Sequence, residues 1–162
     1  MDTESTPEQL EFQAIKAIKV EAKFDTPEMT TDFGALLLRE TENQTSIINN
    51  LSSAITDRRH SAYVDHSIHE ITSQRIYQIC QGYEDADDCD HFRTDAAFKT
   101  AVGRHPAQDA DLASQPTMSR LETTLTSKIC SDAAMRWSII FSTLMTPLPK
   151  RLLLIWTRRQ VT

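Results

Sequence analysis

A mainly α fold, with one short β-strand near residues 18–25 and an irregular basic tail, is predicted by three observations. Glycine supplies only 3 of 162 residues, against a usual share of about 7%, so folds that need many tight turns or hairpin corners are disfavoured. Apolar residues recur at helical spacing over most of the chain. Strict alternation occurs in one place, where Ile18, Val20, Ala22 and Phe24 interleave with Lys19, Glu21, Lys23 and Asp25. At this length the chain makes one domain, with no room for separate substrate and cofactor domains.

The segments follow in order. Residues 1–17 form a polar leader, acidic and without an apolar repeat. The alternating run then gives a half-buried strand that no later segment is built to pair with, so it wants a partner sheet. Thr30, Thr31 and Asp32 offer capping oxygens ahead of Phe33, Leu36, Leu37 and Leu38, where a helix starts. Ile47, Ile48, Leu51 and Ile55 mark a second helix, joined to the first near Glu42–Thr45. After a charged turn at Asp57–Ser61, Val64, Ile68, Ile71, Ile76, Ile79 and Tyr83 mark a third, ending close to Gly82.

Arg75 falls in the middle of that third apolar face and needs a partner, because a buried charge left unpaired costs about 3–5 kcal/mol. Glu84, Asp85 or another carboxylate is expected to meet it as a structural ion pair; a phosphate or substrate contact is the other reading. The cluster Glu84, Asp85, Asp87, Asp88, Asp90 and His91 invites a metal site. It lacks the glycine and the twelfth-position Glu of a calcium loop, and Asp ahead of a helix is an ordinary cap. A short helix through Asp95–Ala101 closes at Gly103. The five His are scattered, with no nucleophile and orienting acid at a recognisable spacing.

The stretch Leu112–Ile129 has Ser114 as a candidate cap, Pro116 in the first turn, and Met118, Leu121, Leu125 and Ile129 on one face. Its other face carries Gln115, Thr117, Ser119 and Arg120, where free N–H groups and the positive helix end favour phosphate oxygens. Ser114, Gln115, Thr117, Ser119 and Arg120 are therefore candidate DNA contacts; capping alone also accounts for the hydroxyls.

Charge divides the chain. Residues 1–132 hold 12 basic and 23 acidic side chains, a balance of −11, whereas residues 133–162 carry Arg136, Lys150, Arg151, Arg158 and Arg159 with no acid. An acidic body repels nucleic acid as a whole, so any DNA contact has to be local. Lys150 and Arg151 split the apolar pieces of the tail, which excludes a membrane span there. Three Cys at 80, 89 and 130 make neither an even disulfide framework nor a metal-ligand pattern, and the N-terminus has no signal-peptide character. A cytoplasmic location with reduced thiols is expected.

Three runs together point to a family: Thr30-Thr31-Asp32-Phe33-Gly34-Ala35-Leu36-Leu37-Leu38-Arg39-Glu40; Gln74-Arg75-Ile76-Tyr77 with Gly82-Tyr83-Glu84-Asp85-Ala86-Asp87-Asp88; and Leu112-Ala113-Ser114-Gln115-Pro116-Thr117-Met118-Ser119-Arg120-Leu121-Glu122. In this order, over about residues 18–130, they resemble the N-terminal third of DDE-type bacterial insertion-sequence transposases. The resemblance implies a helical N-terminal transposase region over 18–132. It also implies a role with transposon-end DNA or in assembly with itself or full-length transposase, with bacterial nucleoid association when DNA is bound. The family's catalysis uses a carboxylate triad on a ribonuclease-H-like sheet that holds divalent Mg or Mn.

In that family the first catalytic Asp lies on a Leu-Asp-x-Asp-x-Thr strand after the position of Glu122. This chain has no such strand and no Asp or Glu from Ala133 onward, so no cofactor and no catalytic residue are expected in it. The codons explain the departure: read one nucleotide earlier, Trp156-Thr157 must encode Asp. With permissive codon choice, Leu153–Gln160 becomes Ala-Asp-Leu-Asp-Ala-Thr-Pro. Residues 133–162 thus read as a basic out-of-frame tail on a truncated transposase, with the frame changing between about 123 and 145. An all-α protein-interaction module with an acidic surface is the alternative.

Overall fold

The computed structural model describes residues 9–23, 30–125, 129–132, 134–136 and 138. The leader before Gln9 and most of the basic tail lie outside them. Strands β1 (Gln9–Ile15) and β2 (Ile18–Lys23) precede helices α1 (Gly34–Thr45), α2 (Ile47–Ser52), α3 (Ile68–Cys80), α4 (Cys89–Phe92), α5 (Ala96–Val102) and α6 (Gln115–Thr124). The fold is mainly α.

The alternating strand is not solitary. β1, in the stretch expected to be loose leader, pairs antiparallel with β2 from Gln9↔Lys23 to Ile15↔Ile18. The two-residue turn puts Lys16 at φ 47° and Ala17 at φ 66°, the left-handed pair of a type I′ hairpin that Asn-Gly usually supplies. A non-glycine residue there is strained. A distant contact holds the turn: Lys16 Nζ lies 2.7 Å from Asp109 Oδ2. A bulge between Phe12 and Ile15 frees backbone groups, and α1 takes them up. Arg39 donates to Gln13 O at 2.7 Å and Ala14 O at 3.2 Å, while Gln13 N donates to Glu40 Oε1 at 2.9 Å.

The remaining elements follow their end signals. Ser46 at φ 53° separates α1 from α2, and the Glu42 carboxylate accepts from Ile48 N at 2.6 Å and Asn49 N at 2.9 Å, capping α2 from one turn back. α3 starts at Ile68 rather than Val64, because Ser67 and Glu70 form a reciprocal capping box. Asp95 caps α5 through Phe98 N, and Gly103 at φ 93° closes it.

Two apolar clusters make the core, and α3 feeds both. Tyr77 joins Leu36, Ile48, Phe98 and Leu112 on one side; Ile71 joins Cys89, Met118 and Leu121 on the other. Full burial of a side chain such as Phe98 contributes roughly 1.5–3 kcal/mol. Between the clusters Gln74 Nε2 donates to Ala113 O, and Ala113 N donates to Gln74 Oε1, each at 3.0 Å. One residue earlier, Leu112 N donates to Arg93 O at 3.0 Å and Arg93 Nε donates to Leu112 O at 3.2 Å. Residues 112–113, which lie outside any helix or sheet, thus have their backbone groups paired from both sides.

Gln74→Leu keeps the volume and removes the pairing, leaving a buried N–H and C=O of Ala113 without partners. A loss of about 2–4 kcal/mol is expected, read as a lower urea midpoint with an unchanged slope. A second expectation concerns acid. Burial and the Arg104 guanidinium, 3.0 Å from Nδ1, push His66 below its ordinary value. Burial opposes the shift at Glu70, yet Ser67 N–H and Arg104 hold its carboxyl below the usual range. Both groups take up protons more readily when unfolded, so their stabilisation is full at neutral pH. It is lost as pH falls, first below about 6.5 through His66 and then below about 4.5 through Glu70. Urea midpoints measured from pH 7 to 4 are expected to fall in both windows, and His66→Gln to lose the upper one.

Candidate nucleic-acid interface

The five candidate DNA contacts all fall on the start of α6, but they do not form one free face. Ser114 is extended, at φ −80° and ψ 163°, and its side chain does not cap the helix; its Oγ lies 3.3 Å from Thr117 Oγ1. Gln115 Nε2 donates to Ser119 Oγ at 3.0 Å. Each of these hydroxyls therefore has a local hydrogen-bond partner. Arg120 is exposed, while Met118 and Leu121 on the opposite side are buried.

A carboxylate already stands at the helix start. Asp90, on α4, accepts from Gln115 N at 3.1 Å through Oδ1, the position a phosphate oxygen would take. The acidic run therefore helps to cap α6, a role spread over 25 residues of sequence.

Arg75 is held between α3 and α6. Its Nε lies 2.8 Å from Glu122 Oε1, while Nη1 and Nη2 donate to Asp85 O at 3.2 Å and Glu84 O at 2.7 Å. The acid facing it is thus Glu122, and Glu84 and Asp85 contribute main-chain carbonyls instead of carboxylates. The physical reason is local: the Asp85 carboxylate accepts from Asp87 N at 3.1 Å within its own turn, and Glu84 is exposed. With Arg75 exposed 16% and Glu122 40%, the ion pair itself contributes no more than about 1 kcal/mol. The two carbonyl bonds are the larger constraint.

Other cations are employed in the same way. Lys99 Nζ donates to Pro106 O and Asp109 O, both at 2.8 Å. Arg104 reaches Asp65 O at 2.7 Å and Glu70 Oε1 at 2.9 Å, with Ala110 O and Asp111 O further out. Among the described residues, Arg58 and Arg120 carry exposed guanidinium groups without a partner. Nothing in their local pattern distinguishes them from Arg75 or Arg104, so sequence reasoning named Arg120 and passed over Arg58.

The carboxylates diverge. Asp32 accepts from Tyr83 Oη at 2.9 Å and from Thr31 Oγ1 at 2.9 Å, Asp95 caps α5, and Asp90 caps α6. Among the described residues no three His, Cys, Asp or Glu side chains gather so as to hold a metal ion. The donor set there does not fit the divalent ions that the resemblance implies. Cys89 is buried with its Sγ 3.1 Å from Gln78 Oε1, and burial pushes its thiol up, so it is a poor nucleophile or ligand. No helix of the described residues is long and apolar enough to cross a membrane.

No curated protein and no solved structure matches the chain. The family described as Transposase DDE domain group 1 matches it over residues 12–154. That match begins in β1, runs through every helix from α1 to α6 and takes in the three motif runs, and the chain accordingly belongs to the DDE transposase family.

Proposed function

We propose that this chain serves DNA transposition as a non-cleaving transposase part, engaging transposon ends weakly or assembling with full-length transposase in the bacterial cytoplasm. The observation that carries the DNA contact is the exposed, unpartnered Arg120 guanidinium on the hydroxyl-bearing side of α6. Ser114, Gln115, Thr117 and Ser119, which do not share one free face with it and are paired among themselves, are secondary contacts that would have to exchange those bonds for phosphate oxygens. The non-cleaving reading is supported by the carboxylates: in these 162 residues every Asp and Glu lies at or before Asp132, ahead of the place where the family carries its metal-binding strand. The codon reading of Trp156-Thr157 supports a frameshifted origin for the basic tail, whereas the family match reaching residue 154 counts for residues 133–154 being in frame; the neighbouring frame of the gene decides between them and, on the frameshift reading, is expected to continue with the acidic motifs.

A second reading, a protein-interaction module, is favoured by one specific observation. Arg39, Arg75, Lys99 and Arg104 are held by carbonyls, which leaves an acidic surface suited to a basic partner.

Duplexes from the two ends of the encoding element discriminate the readings. Binding is expected to be weak and to fall steeply with salt. Arg120→Ala should weaken it, and Asp90→Asn should strengthen it by removing the carboxylate from the α6 start. No binding even at low salt would leave the module reading ahead. Supercoiled plasmid is expected to stay intact when Mg or Mn is added, and nicking by nuclease-free material would overturn the proposal.

A further inference from the structure

The loop between α2 and α3 is ordered by its own side chains. The Asp57 carboxylate accepts from Arg59 N at 3.0 Å, Nε at 2.8 Å and Nη2 at 2.7 Å, and Arg59 Nη2 also donates to His66 O at 2.9 Å. Arg59 holds the Asp57 carboxyl down to about 2, so the clamp persists across ordinary pH. Arg104 pins the far end through Asp65 O at 2.7 Å.

Inside this clamp Ser61–Tyr63 forms a 3-10 turn, with His60 Nδ1 accepting from Ala62 N at 3.3 Å. The His60 and Tyr63 rings lie 5.6 Å apart at 50°. Tyr63 is 86% exposed, more than any other large apolar or aromatic side chain among the described residues. An aromatic ring held this open, beside a second ring, packs no core. Arg58 stands exposed and unpartnered next to the engaged Arg59. Arg136 adds an exposed guanidinium at the loop's start, its Nη1 3.0 Å from Ser53 Oγ.

Charge favours the same spot. Residues 53–66 balance Arg58 and Arg59 against Asp57 and Asp65, whereas residues 1–132 as a whole stand at −11. An anionic ligand meets less repulsion here than the mean charge of residues 1–132 implies. The open ring narrows the ligand further: bases in a duplex are stacked on each other, and only unpaired ones can lie on an aromatic face. An apolar peptide is the poorer fit, since residues 56–62 around the ring are exposed and mostly polar or charged.

We propose that His60 and Tyr63 form a stacking platform for unpaired bases of single-stranded DNA, with Arg58 on a neighbouring phosphate. This rests on the DNA-handling reading but uses residues outside α6. The test is anisotropy of a short labelled oligothymidine, and of an element-end duplex, with the full chain at low salt. Tyr63→Ala is expected to weaken the single strand about tenfold and to leave the duplex unchanged, while Tyr63→Phe binds as the parent does. Arg58→Ala should make the salt dependence shallower. Because Tyr63 is exposed, thermal midpoints of these variants should match the parent's. Single-strand binding unaltered in Tyr63→Ala, or equally lost in Tyr63→Phe, overturns the proposal. If Arg120→Ala weakens the duplex while Tyr63→Ala does nothing, this inference alone fails; if neither DNA binds, the DNA-handling reading fails with it.

Discussion

The paired amide of Gln74 and peptide of Ala113 is the constraint on which the rest of this fold depends. It sits between the two apolar clusters and fixes the segment that launches α6 against α3. Leu112 N donates to Arg93 O beside it, so a stretch without helix or sheet has its backbone groups answered inside the protein. A fold made of helices of four to thirteen residues has many ends and connections for its size. Each buried N–H or C=O there needs a partner, and side chains provide it.

That requirement shapes the electrostatics. Guanidinium and ammonium groups are the strongest donors available, and Arg39, Arg75, Lys99 and Arg104 each bind at least two carbonyls outside their own helix or turn. Cations that would attract phosphate on another surface here close loops. The acidic excess stays outside, and Asp90 at the start of α6 extends it to the helix end that best suits an anion. With so few free cations in its described part, the DNA contact proposed for this chain has to be local rather than general.

The hairpin shows the same logic at the scale of an element. Two strands alone are marginal, and this pair also carries two non-glycine residues at positive φ. It persists because α1 binds the bulge from one side and Asp109 binds the Lys16 ammonium from the other. Phe12 packs edge-on to Phe33, ring centroids 5.4 Å apart, so the apolar side of the hairpin is joined to the first core cluster.

Local patterns sufficed for most of the helices, though α4 fell in the acidic run read as capping and Thr30–Asp32 supply no side-chain cap to α1. The spacing of Ile68 and Ile71, the Asp95 cap, Gly103 and Pro116 each act within a turn or two of themselves, and the motif runs carried the family. The Ser67-Glu70 box was equally legible and marks the α3 start better than hydropathy does. β1 was hidden because Lys16-Ala17 has none of the usual hairpin chemistry, its support coming from a residue 93 positions away. The acid facing Arg75, 47 positions on, and the one capping α6, 25 positions back, were hidden for the same reason. Propensity and capping are short-range and can be read along the chain. Which carboxylate or carbonyl meets a given cation depends on how the helices pack, and at this site that packing decides which charges remain open to a ligand.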